Sequence, residues 1–210
     1  MPKRPYTIFL LDASSSAEND ATMRREKRFL SILVEVYKPL VRNGKLQLIQ
    51  KRVRNRRSLK NSLTLARDAN AEGVHLIGHG IEHQPTAFCA GEDVEDNLID
   101  LANTNDRNLF RGLFSGVKES WLLLSCCFLG GHPKELIKLR EVSNCGAIFA
   151  YHGELEEYQA FLMDALFYQL VLGPMKEHRG TDQPHWQFIR RRLGQAADSL
   201  VAGARVGGSY

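Results

Sequence analysis

The chain has 210 residues, 43% apolar and 25% charged, which suits one compact domain, since domains run to about 100–200 residues. That balance excludes disordered, collagen-like and low-complexity classes. The net charge of +4 is mild.

The first apolar run, Tyr6 to Leu11 behind Pro2-Lys3-Arg4-Pro5, is shorter than a secretory core with its cleavage site, and reads as a first strand. No stretch approaches the ~18–20 apolar residues of a membrane span. Cys89, Cys126, Cys127 and Cys145 have no disulfide-framework spacing, so a reducing cytoplasmic setting without membrane contact is expected.

After the strand, Phe29, Ile32, Leu33, Val36, Tyr37, Leu40 and Val41 recur with helical period and stop near Asn43-Gly44, predicting an amphipathic helix. Leu46 to Val53 predicts a second strand, and Ser58 a cap for a helix carrying Leu59, Leu63 and Ala66. Between them Lys51, Arg52, Arg54, Arg56, Arg57 and Lys60 crowd together. A phosphate-binding stripe would look like this, but no aromatic side chain interleaves to stack bases. A solvated strand end is the expectation, and nucleic acid is not the expected partner.

Val74 to His79 predicts a third strand, and residues 81–100 an acidic loop holding a short hairpin. A helical patch at Leu109, Leu113 and Phe114 precedes a fourth strand, Trp121 to Ser125. Pro133 suits the first turn of a helix with Leu136 and Leu139. Gly146 to Ala150 is a fifth strand, followed by a long helix with Glu154, Glu156 and Glu157 in its first turn, where the helix dipole favours negative charge. A partly basic helix from Trp186 to Ala202 closes the series.

Strands alternating with helices predict a mainly parallel central sheet flanked by helices, a three-layer α/β domain. No linker divides it, so residues 1–202 are expected as one domain and 203–210 as a frayed tail. Function in such sheets gathers at the carboxyl ends of strands, where His79 and the Cys126-Cys127 pair fall.

A thiol attacks as thiolate and needs an imidazole or a positive field beside it. Neighbouring third and fourth strands would bring His79 over the same crest as one of the two cysteines. Gly78, Gly80 and Gly130-Gly131 would let the backbone approach a peptide and aim N–H groups at an oxyanion. Adjacent strand residues point to opposite faces, so only one thiol should face His79, the other packing inward.

Val74-His75-Leu76-Ile77-Gly78-His79-Gly80 and Leu123-Leu124-Ser125-Cys126-Cys127 resemble the histidine-glycine and serine-alanine-cysteine blocks of caspase-like cysteine peptidases, particularly the bacterial CHAT branch. Cys145 to Ala150, Glu154 and the Met163 to Gly173 helix continue the resemblance, which spans residues 6–173. It implies a caspase-like (CHAT-type) peptidase: His79 as catalytic histidine, Cys127 as nucleophile, and Cys126 in the family's alanine position. The backbone amides of Gly80 and Cys127 would form the oxyanion hole. Phe128-Leu129 replace the usual polar pair, and Tyr151-His152 stand where a tryptophan is common.

The implied activity is cysteine endopeptidase, acting on a protein or peptide substrate in a regulated bacterial system, with an activating protein partner as a further expectation. Asp12 and Glu154 are candidate substrate-binding carboxylates for a basic residue before the scissile bond, with Glu92, Asp93, Glu95 and Asp96 as further candidates. Only about 18 residues separate Cys127 from the fifth strand, which argues against an excisable linker there.

Three other readings compete. His75, His79 and His83 recur every four residues, as metal ligands on one helix face would; here the segment reads as strand and loop. His75 is therefore expected as a satisfied core histidine, and no metal or other cofactor is expected. A cysteine α/β-hydrolase would need glycine where Ser125 stands. The non-enzymatic alternative is a catalytically silent caspase-fold scaffold, or a nucleic-acid-binding module using the basic 51–60 segment.

Overall fold

The computed structural model describes residues 4–13, 21–91, 97–176, 186–200 and 206–209. The expected elements form in order: β1 (Tyr6–Asp12), α1 (Ala21–Arg42), β2 (Leu46–Arg52), α2 (Arg56–Asp68) and β3 (Gly73–Ile77). A hairpin segment follows, β4 (His79–Ile81), β5 (Gln84–Cys89) and β6 (Leu98–Asp100), then the single turn α3 (Thr104–Arg107). The chain ends through β7 (Trp121–Ser125), α4 (Pro133–Ser143), β8 (Ala147–Tyr151), α5 (Glu157–Lys176), α6 (Trp186–Leu200) and β9 (Val206–Ser209).

The central sheet has the order β2-β1-β3-β7-β8-β9. Its first five strands pair in parallel, each return to a parallel neighbour being made through helical segments as such crossovers require. Strand alternation divides the core into two faces. Phe9, Leu11, Leu122, Leu124 and Ile148 turn toward the α2 and α4 side, with Leu59, Leu63, Leu136 and Leu139. Ile8, Leu10, Trp121, Leu123 and Phe149 turn toward α1, α5 and α6, with Tyr37, Phe167, Tyr168 and Ile189. The second face is aromatic: Trp121 meets Phe167 edge-on at 4.9 Å between ring centroids, and Phe149 meets Phe167 at 5.1 Å.

Four details differ from expectation. The third strand ends at Ile77, and His79 opens a separate three-stranded antiparallel sheet, β4-β5-β6. Asn55, not Ser58, caps α2: the Asn55 side chain accepts the Ser58 amide at 2.8 Å while the Ser58 hydroxyl accepts the Asn55 amide at 3.0 Å. This reciprocal box satisfies two otherwise orphaned N–H groups. Helix α5 begins at Glu157, leaving Glu154 and Glu156 in the loop before it. Helix α6 is described as far as Leu200, and the rest of the expected helix to Ala202 lies outside the described residues, as do 203–205 and 210 of the expected tail. Finally, Val206–Ser209 does not fray but pairs antiparallel with β8, Tyr151 opposite Val206. The reason is the open edge that β8 would otherwise present, a row of unpaired backbone groups.

The order reverses at β1, whose neighbours are β2 on one side and β3 on the other. Such a switch opens a crevice at the carboxyl ends of the strands. Asp12 ends β1, and β3 leads into His79.

Candidate active site

Two backbone ties hold the segment around His79, one to the end of β7 and one to the residue that follows β1. The Gly78 amide donates to the Ser125 carbonyl at 3.2 Å, and the Ala13 amide donates to the Ile77 carbonyl at 2.8 Å. Two residues on, Gly80 packs against the backbone of Cys127: a Cβ built on it would lie 2.0 Å from the Cys127 carbonyl oxygen and 2.9 Å from its nitrogen. Only glycine tolerates that approach. The chain segments 78–80 and 125–127 therefore run side by side, as the sequence led us to expect. His79 is exposed there, and Cys127 is half-buried, whereas Cys89, Cys126 and Cys145 are buried.

A tight turn follows Cys127. Phe128 has φ 68° and ψ −28°, and the Leu129 amide donates to the Cys127 carbonyl at 2.9 Å. A bulky side chain at positive φ is a strained arrangement. It persists because the Phe128 amide is held by the Gly153 carbonyl at 3.2 Å. That amide is thus already committed to the loop after β8. Gly130 makes a second close approach, its hypothetical Cβ meeting the Ala150 carbonyl at 2.6 Å.

The loop after β8 closes the other side of the thiol. Cys127 Sγ lies 3.9 Å from the Leu155 carbonyl oxygen. Burial pushes the Cys127 thiol above its ordinary range, and the Glu154 carboxylate beside it adds to the rise. Cys126 is pushed well above, first by burial, then by the charges of Cys127 and Asp164. Glu154 is exposed. Asp12 is farther away in the sheet: it pairs in register with Ile77 of β3 and Arg52 of β2, on the side of β3 remote from β7. The structure thus brings Gly80, Cys127 and Glu154 together and sets Asp12 at the neighbouring crevice. Glu92, Asp93, Glu95 and Asp96 lie outside the described residues.

His75 is the satisfied core histidine that its apolar strand predicts. It is wholly buried, with Nε2 2.7 Å from Ser125 Oγ and Nδ1 3.1 Å from the Tyr168 hydroxyl. His79 and His83 are exposed on β4 and its turn, and no three His, Cys, Asp or Glu side chains among the described residues group as metal ligands. The basic segment is split: Lys51 and Arg52 end β2, Arg54 lies between elements, and Arg56, Arg57 and Lys60 belong to α2. Arg56 is tied to Asp106.

Sequence reasoning missed what lies beneath the crest. Ser125 donates to Asp164 Oδ1 at 2.7 Å, Asp164 Oδ2 is 3.3 Å from His75 Nε2, and the Tyr151 hydroxyl also donates to Asp164. All of these side chains are buried. Serine, histidine and aspartate here have the residue types of a hydrolase triad without its wiring, in which the carboxylate holds the nitrogen remote from the serine. Asp164 approaches the same Nε2 that meets Ser125. One signal was available: Asp164 interrupts the apolar run Phe161-Leu162-Met163-Asp164-Ala165-Leu166-Phe167, and a carboxylate in such a run needs buried partners.

No protein-family model matches the chain, and no curated protein does. Among solved structures it is similar to the Drosophila initiator caspase Dronc, with a TM-score of 0.57 and 11% sequence identity over 99% of this chain and 80% of that one. At so low an identity the likeness extends to the fold and not to the CHAT branch. The central sheet, mostly parallel and flanked by helices, is that of a caspase-like fold.

Proposed function

We propose that the chain is a cysteine endopeptidase in which Cys127 is the nucleophile and His79 the general acid–base. The observation that carries this reading is the Gly80–Cys127 contact, which supports a histidine and a thiol from separate strands sharing one crest. The exposure pattern supports it too, since Cys127 is the one cysteine that is not buried. Its raised pKa calls for a base that removes the thiol proton as substrate arrives.

In this mechanism His79 takes the Cys127 proton as sulfur attacks the peptide carbonyl carbon, giving a tetrahedral oxyanion. The amides of Gly80 and Cys127 stabilise that charge. His79 then returns the proton to the leaving amine, the C–N bond breaks, and a thioester remains. Water, deprotonated by His79, hydrolyses it and releases the acid and the thiol. Glu154, beside the thiol, favours a substrate with a basic residue near the scissile bond, and Asp12 at the neighbouring crevice would add to that preference. A CHAT-type role in a regulated bacterial, cytoplasmic system, with a partner that activates the enzyme, belongs to the same proposal.

The test is a peptidyl acyloxymethyl ketone with arginine next to the warhead. Labelling confined to residue 127, lost in Cys127→Ala and strongly reduced in His79→Ala, is the expected result. Labelling that survives Cys127→Ala and disappears in Cys126→Ala would move the nucleophile by one residue. No labelling of the wild type would remove the peptidase reading.

A further inference from the structure

Resting on the peptidase reading, we propose that Asp164 is a positioning residue for the Cys127–His79 site, acting through Ser125, His75 and Tyr151 to fix the heights of three loops. The partners come from the strands that lead into the site: His75 on β3, before His79; Ser125 on β7, before Cys127; Tyr151 on β8, before Glu154 and Leu155. Asp164 itself is on α5, one turn before Tyr168. A single buried carboxylate thereby joins the middle of β3 and the ends of β7 and β8 to one helix.

Donor counting gives the chain of bonds a direction. Ser125 has one hydroxyl proton and gives it to Asp164 Oδ1, so at 2.7 Å its oxygen accepts from His75 Nε2. Nε2 is therefore the protonated nitrogen, and it also faces Asp164 Oδ2 at 3.3 Å. Tyr151 donates to Asp164, and its hydroxyl lies 3.2 Å from the Ala160 carbonyl of α5. Burial and the Asp164 charge push the Tyr151 and Tyr168 hydroxyls well above their ordinary range, which keeps them as donors.

The backbone carries this order to the reacting groups. Ser125, oriented by its side chain, offers the carbonyl that receives the Gly78 amide, one residue before His79. Tyr151 begins the loop whose Gly153 carbonyl holds the Phe128 amide and whose Leu155 carbonyl faces Cys127 Sγ. Asp164 touches neither thiol proton nor substrate, so its effect is on geometry. Misplacement of reacting groups by about 1 Å can cost on the order of a hundredfold in rate.

The substitution Asp164→Asn keeps Oδ1 for Ser125 and Tyr151 but turns an N–H toward the N–H of His75. Ser125→Ala removes the middle link, and Ser125→Thr restores its hydroxyl. The experiment measures the maximal inactivation rate and the half-saturating concentration of the arginyl acyloxymethyl ketone, with melting temperature alongside, for wild type and these variants. Expected is a fall of about tenfold or more in maximal rate for Asp164→Asn and Ser125→Ala, with half-saturation little changed, a folded protein, and recovery of most of the rate in Ser125→Thr. Wild-type maximal rates in Asp164→Asn and Ser125→Ala would overturn the positioning role while leaving the peptidase intact. So would a loss that Ser125→Thr does not recover. A wild type that is not labelled at Cys127 would remove both proposals.

Discussion

Gly80 stands so close to Cys127 that a single added carbon would fall 2.0 Å from the Cys127 carbonyl oxygen. The obstacle is backbone on both sides, so no side chain can swing away to make room. We expect Gly80→Ala to destabilise the fold by about 1–3 kcal/mol, the usual cost of overpacking, and to slow labelling of Cys127. Gly78→Ala should be milder, its nearest new contacts being 3.3 Å from the Cys89 carbonyl and 3.5 Å from Cys126 Sγ. Denaturant midpoints of the two variants check this, and equal midpoints would contradict the contact.

The two adjacent thiols differ in their burial. Iodoacetamide on the native protein should modify Cys127 first, at a rate that climbs as the pH approaches its raised pKa. Because Glu154 disfavours the thiolate, Glu154→Gln should lower that pKa and move the climb to lower pH. Peptide mapping after alkylation gives the answer, and early modification of Cys126 or Cys145 would refute it.

Stability should decline in alkali. Cys145 is buried, and its thiol is pushed from 9.0 up to about 12, burial being the main cause; Tyr37 is pushed from 10.0 up to about 12 for the same reason. Folding favours the protonated form of both groups. The unfolded chain releases these protons first, so stability is complete below about pH 9 and falls as the pH rises toward 12. Unfolding followed across this range should show the decline, and Cys145→Ala should flatten it.

The β9 pairing can be removed cleanly. A chain ending at residue 202 loses the partner of Ile148 to Tyr151 and exposes the edge of β8. Lower melting temperature and new self-association are the expected outcomes, read by calorimetry and sedimentation. An unchanged melting temperature would mean that this pairing contributes nothing to stability.

Much of the architecture was legible because burial imprints a period. In β1 and β7 successive apolar side chains pack on opposite faces, and α2 keeps Leu59, Leu63 and Ala66 on its buried side. Strand β9 left no such mark: Val206-Gly207-Gly208-Ser209 has too few side chains to alternate, and its pairing comes from the backbone. The cap of α2 lies one turn earlier because Asn55 accepts the Ser58 amide while Ser58 fills the third-residue place of the capping box, which glutamate or glutamine usually takes.

By itself the sequence determined the succession of strands and helices, the two-faced parallel sheet, and a histidine and a cysteine as candidates for chemistry. Those properties depend on residue type and on spacing along a few turns of chain. Only the tertiary structure decided that Gly80 rests on Cys127, that Glu154 rather than Asp12 adjoins the thiol, and that Asp164 gathers side chains from three strands. The reason is register: His75 meets Ser125 across 50 residues and Tyr168 across 93, and contacts so distant follow from how strands align and helices dock.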